Sequence, residues 1–273
     1  MGYSIFSTAG CMRCSIVKSY MQEHRIEYRE FDFKTDGKEE FNAFYRKNRS
    51  SIYRGDEGVE FPLLYDGAQV VQGVGVIIAF FENNGLLGGA VSRSELSHGW
   101  VSGLDLSLAG GPLSDSFVDV VTFLKVSGLN VQIGTDGHHS SLLQRLVDKS
   151  CIDRLVFNIW GPVVLYEAIC GIPIDEPDLA QSLSIAQTCP EYQIHLPLKT
   201  FKRDGGASDI ITPEEAGLTA AFIEQATGKK THPFYLKNSM SAEDQEMLGS
   251  INLFKYRTAC RRYMVKTEIL KDE

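Results

Sequence analysis

The sequence predicts an α/β protein, and two patterns carry that prediction. In residues 3–86, short apolar runs alternate with amphipathic segments in the order β-α-β-α-β-β-α. After residue 100, strand-like and helix-like segments alternate regularly, which indicates βα units on a parallel sheet. Residues 87–99 are rich in Gly and Ser and show no period, so they predict a linker between a domain at 1–86 and a domain at 100–273.

Each element of the first part has its own local signal. Residues 13–24 carry apolar side chains at helical spacing, and residues 26–33 alternate like a half-buried strand. Asp66-Gly67 lies between two apolar runs, which is the pattern of a tight β-hairpin. The predicted elements are strands at 3–7 and 26–33, helices at 13–24 and 36–48, that hairpin, and a closing helix that ends at Gly85. This is the element order of the thioredoxin fold.

The second part predicts four or five βα units, which would form an open parallel sheet or a partial barrel. Ligands of such folds bind at the rim formed by the carboxyl ends of the strands. Asp136 is interpreted as holding the turn before Gly137, and His138 as a loop histidine. The segments predicted at this rim are Gly110-Gly111, Thr135-Asp136-Gly137 and Trp160-Gly161-Pro162.

Composition and charge exclude several classes of protein. The 273 residues are 43% hydrophobic and 23% charged, and the net charge of −8 argues against a nucleic-acid or anionic-membrane partner. No run of about 18 apolar residues predicts a membrane span, and the N-terminus lacks the pattern of a secretion signal. Scattered cysteines favour a reducing cytoplasm over a disulfide scaffold. The sequence leaves the oligomeric state open.

One local group of cations departs from this acidic background. On an apolar-alternating segment, such cations usually form the solvated side of a strand or helix, and a functional patch is the alternative. The group consists of Lys255, Arg257, Arg261, Arg262 and Lys266.

The chemistry is predicted at Cys11 and Cys14, which are separated by two residues just before the first helix. Cys11 would stand at the helix N-terminus, where free N–H groups and the helix dipole favour a thiolate, and Arg13 adds positive charge. Cys14, one turn further on, would lie deeper. Together they predict a redox pair in which Cys11 attacks a disulfide and Cys14 resolves the mixed disulfide.

Zinc binding and two purely structural thiols are the alternatives for this pair. A structural zinc site needs four ligands, usually from a second cysteine pair or from paired histidines. The sequence contains no second such pair, and its six histidines show no ligand spacing. We therefore predict no metal site.

Pro62 is the second informative residue. A proline inside a strand cannot donate to the ladder, so it is costly there. Its position is sensible if the Phe61–Pro62 bond is cis and the bend faces the cysteine pair. The alternative is an ordinary proline on an edge strand.

Residues 3–86 resemble a glutaredoxin. The resemblance rests on STAGCMRC as the active-site loop, VEFPLLYDG as the cis-proline strand with its hairpin, and GVG at Gly73–Gly75 before the last helix. It implies thiol–disulfide exchange with Cys11 as nucleophile, and a substrate-binding surface around Arg13, Phe61, Pro62 and Gly73. In the family, substrate or glutathione backbone pairs with the residue before the proline, which is Phe61 here.

This chain departs from the glutaredoxin pattern at two places. Thr8 stands where the family usually has a Lys, and apolar residues follow Gly75 where the family has an acidic residue that grips glutathione. The reductant therefore stays open between glutathione, a protein and another low-molecular-weight thiol.

Residues 100–235 resemble the radical-SAM activating enzymes of anaerobic ribonucleotide reductases. The resemblance rests on VSGLDLSLAGGPL, GLNVQIGTDG and IDRLVFNIWGP, which match the family's successive strand ends. Those enzymes hold a [4Fe–4S] cluster on a CxxxCxxC loop ahead of the Gly-Gly strand, where this chain has SRSELSHGW and no cysteine. We therefore expect neither an iron–sulfur cluster nor SAM, and the resemblance implies a degenerate, cluster-less relative.

These observations predict a cytoplasmic thiol–disulfide oxidoreductase that acts on a protein or low-molecular-weight disulfide. No tightly bound cofactor is expected, and the second domain would supply a substrate- or partner-binding surface. The alternative is a redox-sensing regulatory or binding protein, in which the state of the cysteine pair controls the second-domain surface.

Overall fold

The computed structural model describes residues 2–55, 58–83, 85, 87–93, 99–203, 206–249 and 251–270. The chain divides into two compact units, Met1–Val131 and Gln132–Glu273. The predicted division into 1–86, 87–99 and 100–273 stays a prediction, and residues 94–98 of that linker lie outside the described residues. The predicted α/β class is confirmed.

The first unit contains a four-stranded mixed sheet with helices. Its elements are β1 (Tyr3–Ser7), α1 (Met12–Glu23), β2 (Tyr28–Asp32), α2 (Lys38–Asn48), β3 (Arg54–Gly55), β4 (Gly58–Val59), β5 (Leu63–Tyr65), β6 (Val70–Gln72), α3 (Val74–Asn83), β7 (Trp100–Asp105) and α4 (Ser114–Val126).

The four-stranded sheet has the order β2-β1-β5-β6. Strand β1 is parallel to β2 and antiparallel to β5, and β5 and β6 form an antiparallel hairpin. The hairpin predicted across Asp66-Gly67 is therefore present. The Asp66 carboxylate accepts the backbone N–H groups of Ala68 and Gln69, each at 2.8 Å, and so holds the turn.

The core of the first unit includes a cluster to which aromatic side chains contribute strongly. Phe6, Phe41, Ile52 and Leu63 form a buried cluster. Helix α3 is buried at every position from Val74 to Ala79, because it packs against α1 and also against α4.

The second unit continues the βα pattern. Its elements are β8 (Asn130–Thr135), which begins at the end of the first unit, α5 (Ser140–Asp148), β9 (Arg154–Asn158), α6 (Tyr166–Cys170), α7 (Glu176–Ala186), β10 (Glu191–Leu198), β11 (Phe201–Lys202), β12 (Ser208–Asp209), α8 (Pro213–Thr227), β13 (Phe234–Asn238), α9 (Ala242–Leu248), α10 (Leu253–Cys260) and β14 (Thr267–Leu270).

The larger sheet is a six-stranded parallel sheet with the order β14-β13-β10-β9-β8-β7. Strands β7 and β14 are its two edges, so within the described ranges the sheet is open and does not close into a barrel. The predicted parallel sheet is thus confirmed, and β13 and β14 extend it beyond the predicted units. In the described part of the chain, no helix is both long enough and apolar enough to cross a membrane.

Candidate dithiol site

The cysteine loop follows β1 and leads directly into α1. Gly10 has φ of 80°, a left-handed conformation that glycine adopts at little cost, and it turns the chain into the helix. Cys11 is the residue that caps α1, and its N–H donates to the Thr8 carbonyl at 3.1 Å. The sulfur of Cys11 therefore lies at the helix N-terminus.

Two hydrogen bonds join the thiols. The backbone N–H of Cys14 donates to Cys11 Sγ at 3.2 Å, and the Cys14 thiol donates to the same sulfur at 2.6 Å. Cys11 is half-buried, whereas the exposed fraction of Cys14 is 2%. The more exposed Cys11 sulfur therefore accepts both hydrogen bonds, and the buried Cys14 thiol is the donor in one of them.

This arrangement separates the acidities of the two thiols. The hydrogen bond from the Cys14 thiol lowers the pKa of Cys11 to about 6, helped by the Cys14 N–H and the Arg13 charge and opposed by burial. The bond to Cys11, burial and the negative charge on Cys11 raise the pKa of Cys14 well above its ordinary range. Cys11 is therefore the thiolate and Cys14 the thiol near neutral pH.

The predicted substrate-binding residues lie near this end of the sheet. Phe6 of β1 pairs with Leu63 of β5, so Phe61 and Pro62 precede β5 at the end where β1 runs on to Cys11. The Phe61–Pro62 peptide bond is cis. The N–H of Gly73 donates to the Pro62 carbonyl at 3.1 Å, which fixes the start of α3 to the proline.

Lys34 is a residue of this region that the sequence reasoning missed. Its exposed ammonium donates to the Ala9 carbonyl of the cysteine loop at 3.4 Å. The backbone N–H of Phe33 donates to the Ser7 carbonyl at 2.9 Å, which continues the β1–β2 pairing. The sequence could have indicated this contact, because β1 and β2 are parallel neighbours and the carboxyl ends of such strands meet at one edge of a sheet.

A second cation lies one helical turn beyond Cys14. The ammonium of Lys18 donates to Glu30 Oε1 at 2.8 Å, and the hydroxyl of Ser7 donates to the same oxygen at 2.6 Å. The hydrogen bond to Glu30 raises the pKa of Lys18, with a smaller contribution from Cys14. Lys18 therefore stays charged on the helix face that it shares with Cys14.

The other four cysteines do not join this pair. Cys151, Cys189 and Cys260 are buried, and Cys170 is half-buried and donates to the Tyr166 carbonyl at 3.0 Å. Within the part of the chain that the structure describes, no three His, Cys, Asp or Glu side chains are grouped to hold a metal ion. Three thiolates for an iron–sulfur cluster are not brought together, so such a cluster does not fit the described residues.

The rim of the larger sheet carries a separate hydrogen-bonded group. His138 Nδ1 lies 2.7 Å from Asp136 Oδ1, and His138 Nε2 lies 3.1 Å from the Pro173 carbonyl. The Tyr166 hydroxyl donates to the Asp136 carbonyl at 3.2 Å. His138 lies in the loop between β8 and α5, as the sequence predicted, and there it also forms a tertiary contact.

Comparison with known proteins gives one weak structural similarity. No protein-family model matches the chain, and no curated protein matches it. Among solved structures, the chain is similar to a domain of pyruvate-formate lyase-activating enzyme from Bacteroides vulgatus ATCC 8482, with 13% sequence identity and a TM-score of 0.39. The match covers 59% of this chain and 96% of that domain. The glutaredoxin resemblance of residues 3–86 stays a prediction.

Proposed function

We propose that this protein is a glutaredoxin-like dithiol oxidoreductase that exchanges the Cys11–Cys14 pair with a disulfide substrate. The observation that carries the proposal is the 2.6 Å hydrogen bond from the Cys14 thiol to Cys11 Sγ at the N-terminus of α1. Cys11 is prepared as the nucleophile. Cys14, one helical turn further along the chain, keeps its proton and holds its sulfur against that of Cys11. That is the division of roles a two-thiol exchange requires.

In the first step, the Cys11 thiolate attacks one sulfur of the substrate disulfide. The substrate S–S bond breaks, a bond forms between Cys11 and that sulfur, and the other substrate sulfur leaves as a thiolate that takes a proton from solvent. In the second step, Cys14 loses its proton to solvent and its thiolate attacks the Cys11 sulfur. The remaining substrate sulfur is expelled as a thiolate, which takes a proton from solvent. The substrate gains two electrons, and the protein is left with a Cys11–Cys14 disulfide.

The geometry also accounts for the order of the steps. The hydrogen bond to Cys11 is the largest cause of the raised pKa of Cys14, and the negative charge on Cys11 also contributes. Once Cys11 is bound to substrate, that charge is neutralised and the bond is weakened, so the pKa of Cys14 falls. Lys18, which shares its helix face, favours the Cys14 thiolate at this stage. The second thiol thus becomes reactive after the first has reacted.

Two further features support the proposal. The β2-β1-β5-β6 sheet order, with a cis peptide bond before Pro62 at the cysteine end, is the arrangement expected of a thioredoxin fold. The positive charge of Arg13 favours the Cys11 thiolate, and Lys34 donates a hydrogen bond to the cysteine loop at Ala9. Turnover requires a thiol reductant, for which glutathione and a protein dithiol are the candidates.

The test is disulfide reduction by the full chain, with hydroxyethyl disulfide and insulin as substrates and glutathione or dithiothreitol as reductant. We expect Cys11→Ser to abolish exchange and Cys14→Ser to trap a mixed disulfide on Cys11. Cys170→Ser, which changes a half-buried thiol outside the pair, is the matched control and should retain full activity.

Absence of exchange by the reduced wild-type chain with either substrate would refute the oxidoreductase. The same result would favour the redox-sensing alternative, provided that the Cys11–Cys14 disulfide still forms. Activity retained in Cys11→Ser would show that another thiol is responsible.

A further inference from the structure

Helix α10 presents an exposed aromatic side chain between two pockets of the second unit. One pocket, of about 640 Å³, lies beside α8 and includes Leu218. The other, of about 820 Å³, lies towards β14 and includes Ile269. Both are lined by Asn252 and Phe254, so Phe254 forms the ridge between them.

The apolar groups at this surface are unusually open to solvent. The exposed fraction is 61% for Phe254 and 61% for Leu218. The guanidinium of Arg257 lies 4.8 Å from the centre of the Phe254 ring. The surface therefore offers an aromatic ridge and concave apolar walls, which are features of protein-binding sites.

The inner face of α10 is held firmly, so this surface is presented on a fixed scaffold. The Tyr256 hydroxyl donates to the Ile211 carbonyl at 2.7 Å, and the fully buried Cys260 thiol donates to the Ala216 carbonyl at 3.4 Å. The Asn252 side chain accepts the N–H of Phe254 at 3.2 Å and caps the helix. A preformed surface of this kind loses little conformational entropy on binding.

Positive charge surrounds the same ridge. The five cations at 255–266 lie on α10 and the segment after it, and residues 247–267 contain no Asp or Glu. None of the five forms an ion pair with a carboxylate among the residues that the structure describes. The first pocket carries Lys255 and Arg262 against Glu214, and the second carries Arg257 and Arg261 against Glu268.

We propose that this α10 surface, defined by Leu218, Asn252, Phe254 and the four cations that line its two pockets, binds an acidic segment of a partner protein that carries an aromatic or large aliphatic side chain. The apolar side chain would enter a pocket beside Phe254, and its flanking carboxylates would pair with these cations, which form no ion pair within the described residues. A surplus of positive charge on a chain of net charge −8 gives the site its complementarity to an acidic partner. The proposal is independent of the dithiol chemistry.

The test uses the full-length chain as bait for a displayed library of random dodecapeptides. We expect the enriched peptides to combine Asp or Glu with Phe, Trp, Leu or Ile. Binding of a synthetic copy should weaken about tenfold or more in Lys255→Glu/Arg262→Glu. A similar loss is expected in Phe254→Ala, which removes the ridge without changing charge.

Lys47→Glu/Lys149→Glu is the matched control, because it reverses two exposed charges that line neither pocket and should bind as wild type does. Circular dichroism establishes that each variant is folded, and Phe254→Ala alone decides the outcome if the double charge reversal does not fold. An enriched consensus without acidic residues, no enrichment, or binding unaffected by these variants would overturn the proposal. So would binding of a single-stranded oligonucleotide that Lys255→Glu/Arg262→Glu abolishes, because it would assign the surface to nucleic acid.

Discussion

At the scale of single residues, the reactivity of Cys11 depends mainly on its neighbour. The hydrogen bond from the Cys14 thiol is the largest cause of the lowered pKa of Cys11, and Arg13 is a smaller one. We expect the rate of alkylation of Cys11 by iodoacetamide to rise with pH around a midpoint near 6 in the wild-type chain. Cys14→Ala should move the midpoint towards the free-thiol value of about 8.5.

Arg13→Gln is the control for the charge contribution and should move that midpoint by a smaller amount. A wild-type midpoint at or above about 8.5 would contradict the lowered pKa of Cys11. A midpoint that does not change in Cys14→Ala would show that the helix N-terminus, and not the second thiol, stabilises the thiolate.

His138 is a residue whose charge contributes to stability. Both of its ring nitrogens face acceptors, the Asp136 carboxylate and the Pro173 carbonyl, so only the protonated ring donates to both. The hydrogen bond to Asp136 raises the pKa of His138, with a contribution from Asp178, while burial opposes it. The Tyr166 ring packs against its edge.

We therefore expect His138→Gln to lower the free energy of unfolding by on the order of 1 kcal/mol at pH 5.5. Because the folded-state pKa lies above the unfolded value of about 6.5, this contribution is full below that pH and is lost as pH rises through the folded-state pKa. Urea unfolding of both proteins from pH 5.5 to 9 measures it. A difference that stays constant or grows with pH would contradict the charged ring.

At the scale of elements, the turn from β8 into α5 depends on Gly137. Its φ is +102°, and a Cβ there would overlap Leu179 Cδ1 and lie 3.2 Å from Phe157 Cζ. The backbone is held on both sides, because its N–H donates to Thr135 Oγ1 at 3.1 Å and its carbonyl accepts the Ser182 hydroxyl at 2.8 Å. We expect Gly137→Ala to lower the free energy of unfolding by about 2–4 kcal/mol.

Gly228→Ala separates backbone strain from steric overlap in that test. Gly228 follows α8 with φ of +70°, but no other atom lies within 4 Å of the Cβ position. This substitution should therefore cost only about 1–2 kcal/mol. Equal losses in the two variants, measured by urea unfolding, would show that the overlap at Gly137 relaxes freely.

Elements with local signals were predictable, and elements defined by their neighbours were not. Helix α8 could be located because Thr212 and Glu215 form a capping box, Pro213 opens the helix and Gly228 ends it. Strands β13 and β14 have only five and four residues, which is too short for a distinct periodic signal, so their place in the sheet depends on pairing with β10 and with each other. The segment 253–267, for which the sequence allowed either a strand or a helix, contains α10.

The same distinction applies to the site. The cysteine pair could be predicted because its two members stand close together in the sequence, at the start of a helix, and this is a local pattern. Lys34 reaches Ala9 across 25 positions, and His138 reaches Pro173 across 35. Those contacts depend on sheet register and on the packing of loops, which no local pattern specifies.

At the scale of the whole molecule, helix α3 determines which segment can fold as a stable unit. Its backbone at Gly75 faces Val91 and Leu124, since a Cβ there would lie 3.5 Å and 3.7 Å from their side chains. The ring of Tyr20 in α1 contacts that of Phe123 in α4, with centroids 4.9 Å apart. Residues beyond 86 thus cover one side of the helices that support the cysteine loop.

We therefore expect the fragment 1–131 to fold cooperatively and the fragment 1–86 to be markedly less stable. Removing 87–131 uncovers apolar side chains whose burial contributes about 1.5–3 kcal/mol each, against a total stability of about 5–15 kcal/mol for a typical protein. Urea unfolding and binding of the dye ANS measure the difference, and 1–86 should bind the dye. If 1–86 instead unfolds cooperatively at the same midpoint without binding it, the boundary lies at 87–99, and α4 is not needed to support the cysteine loop.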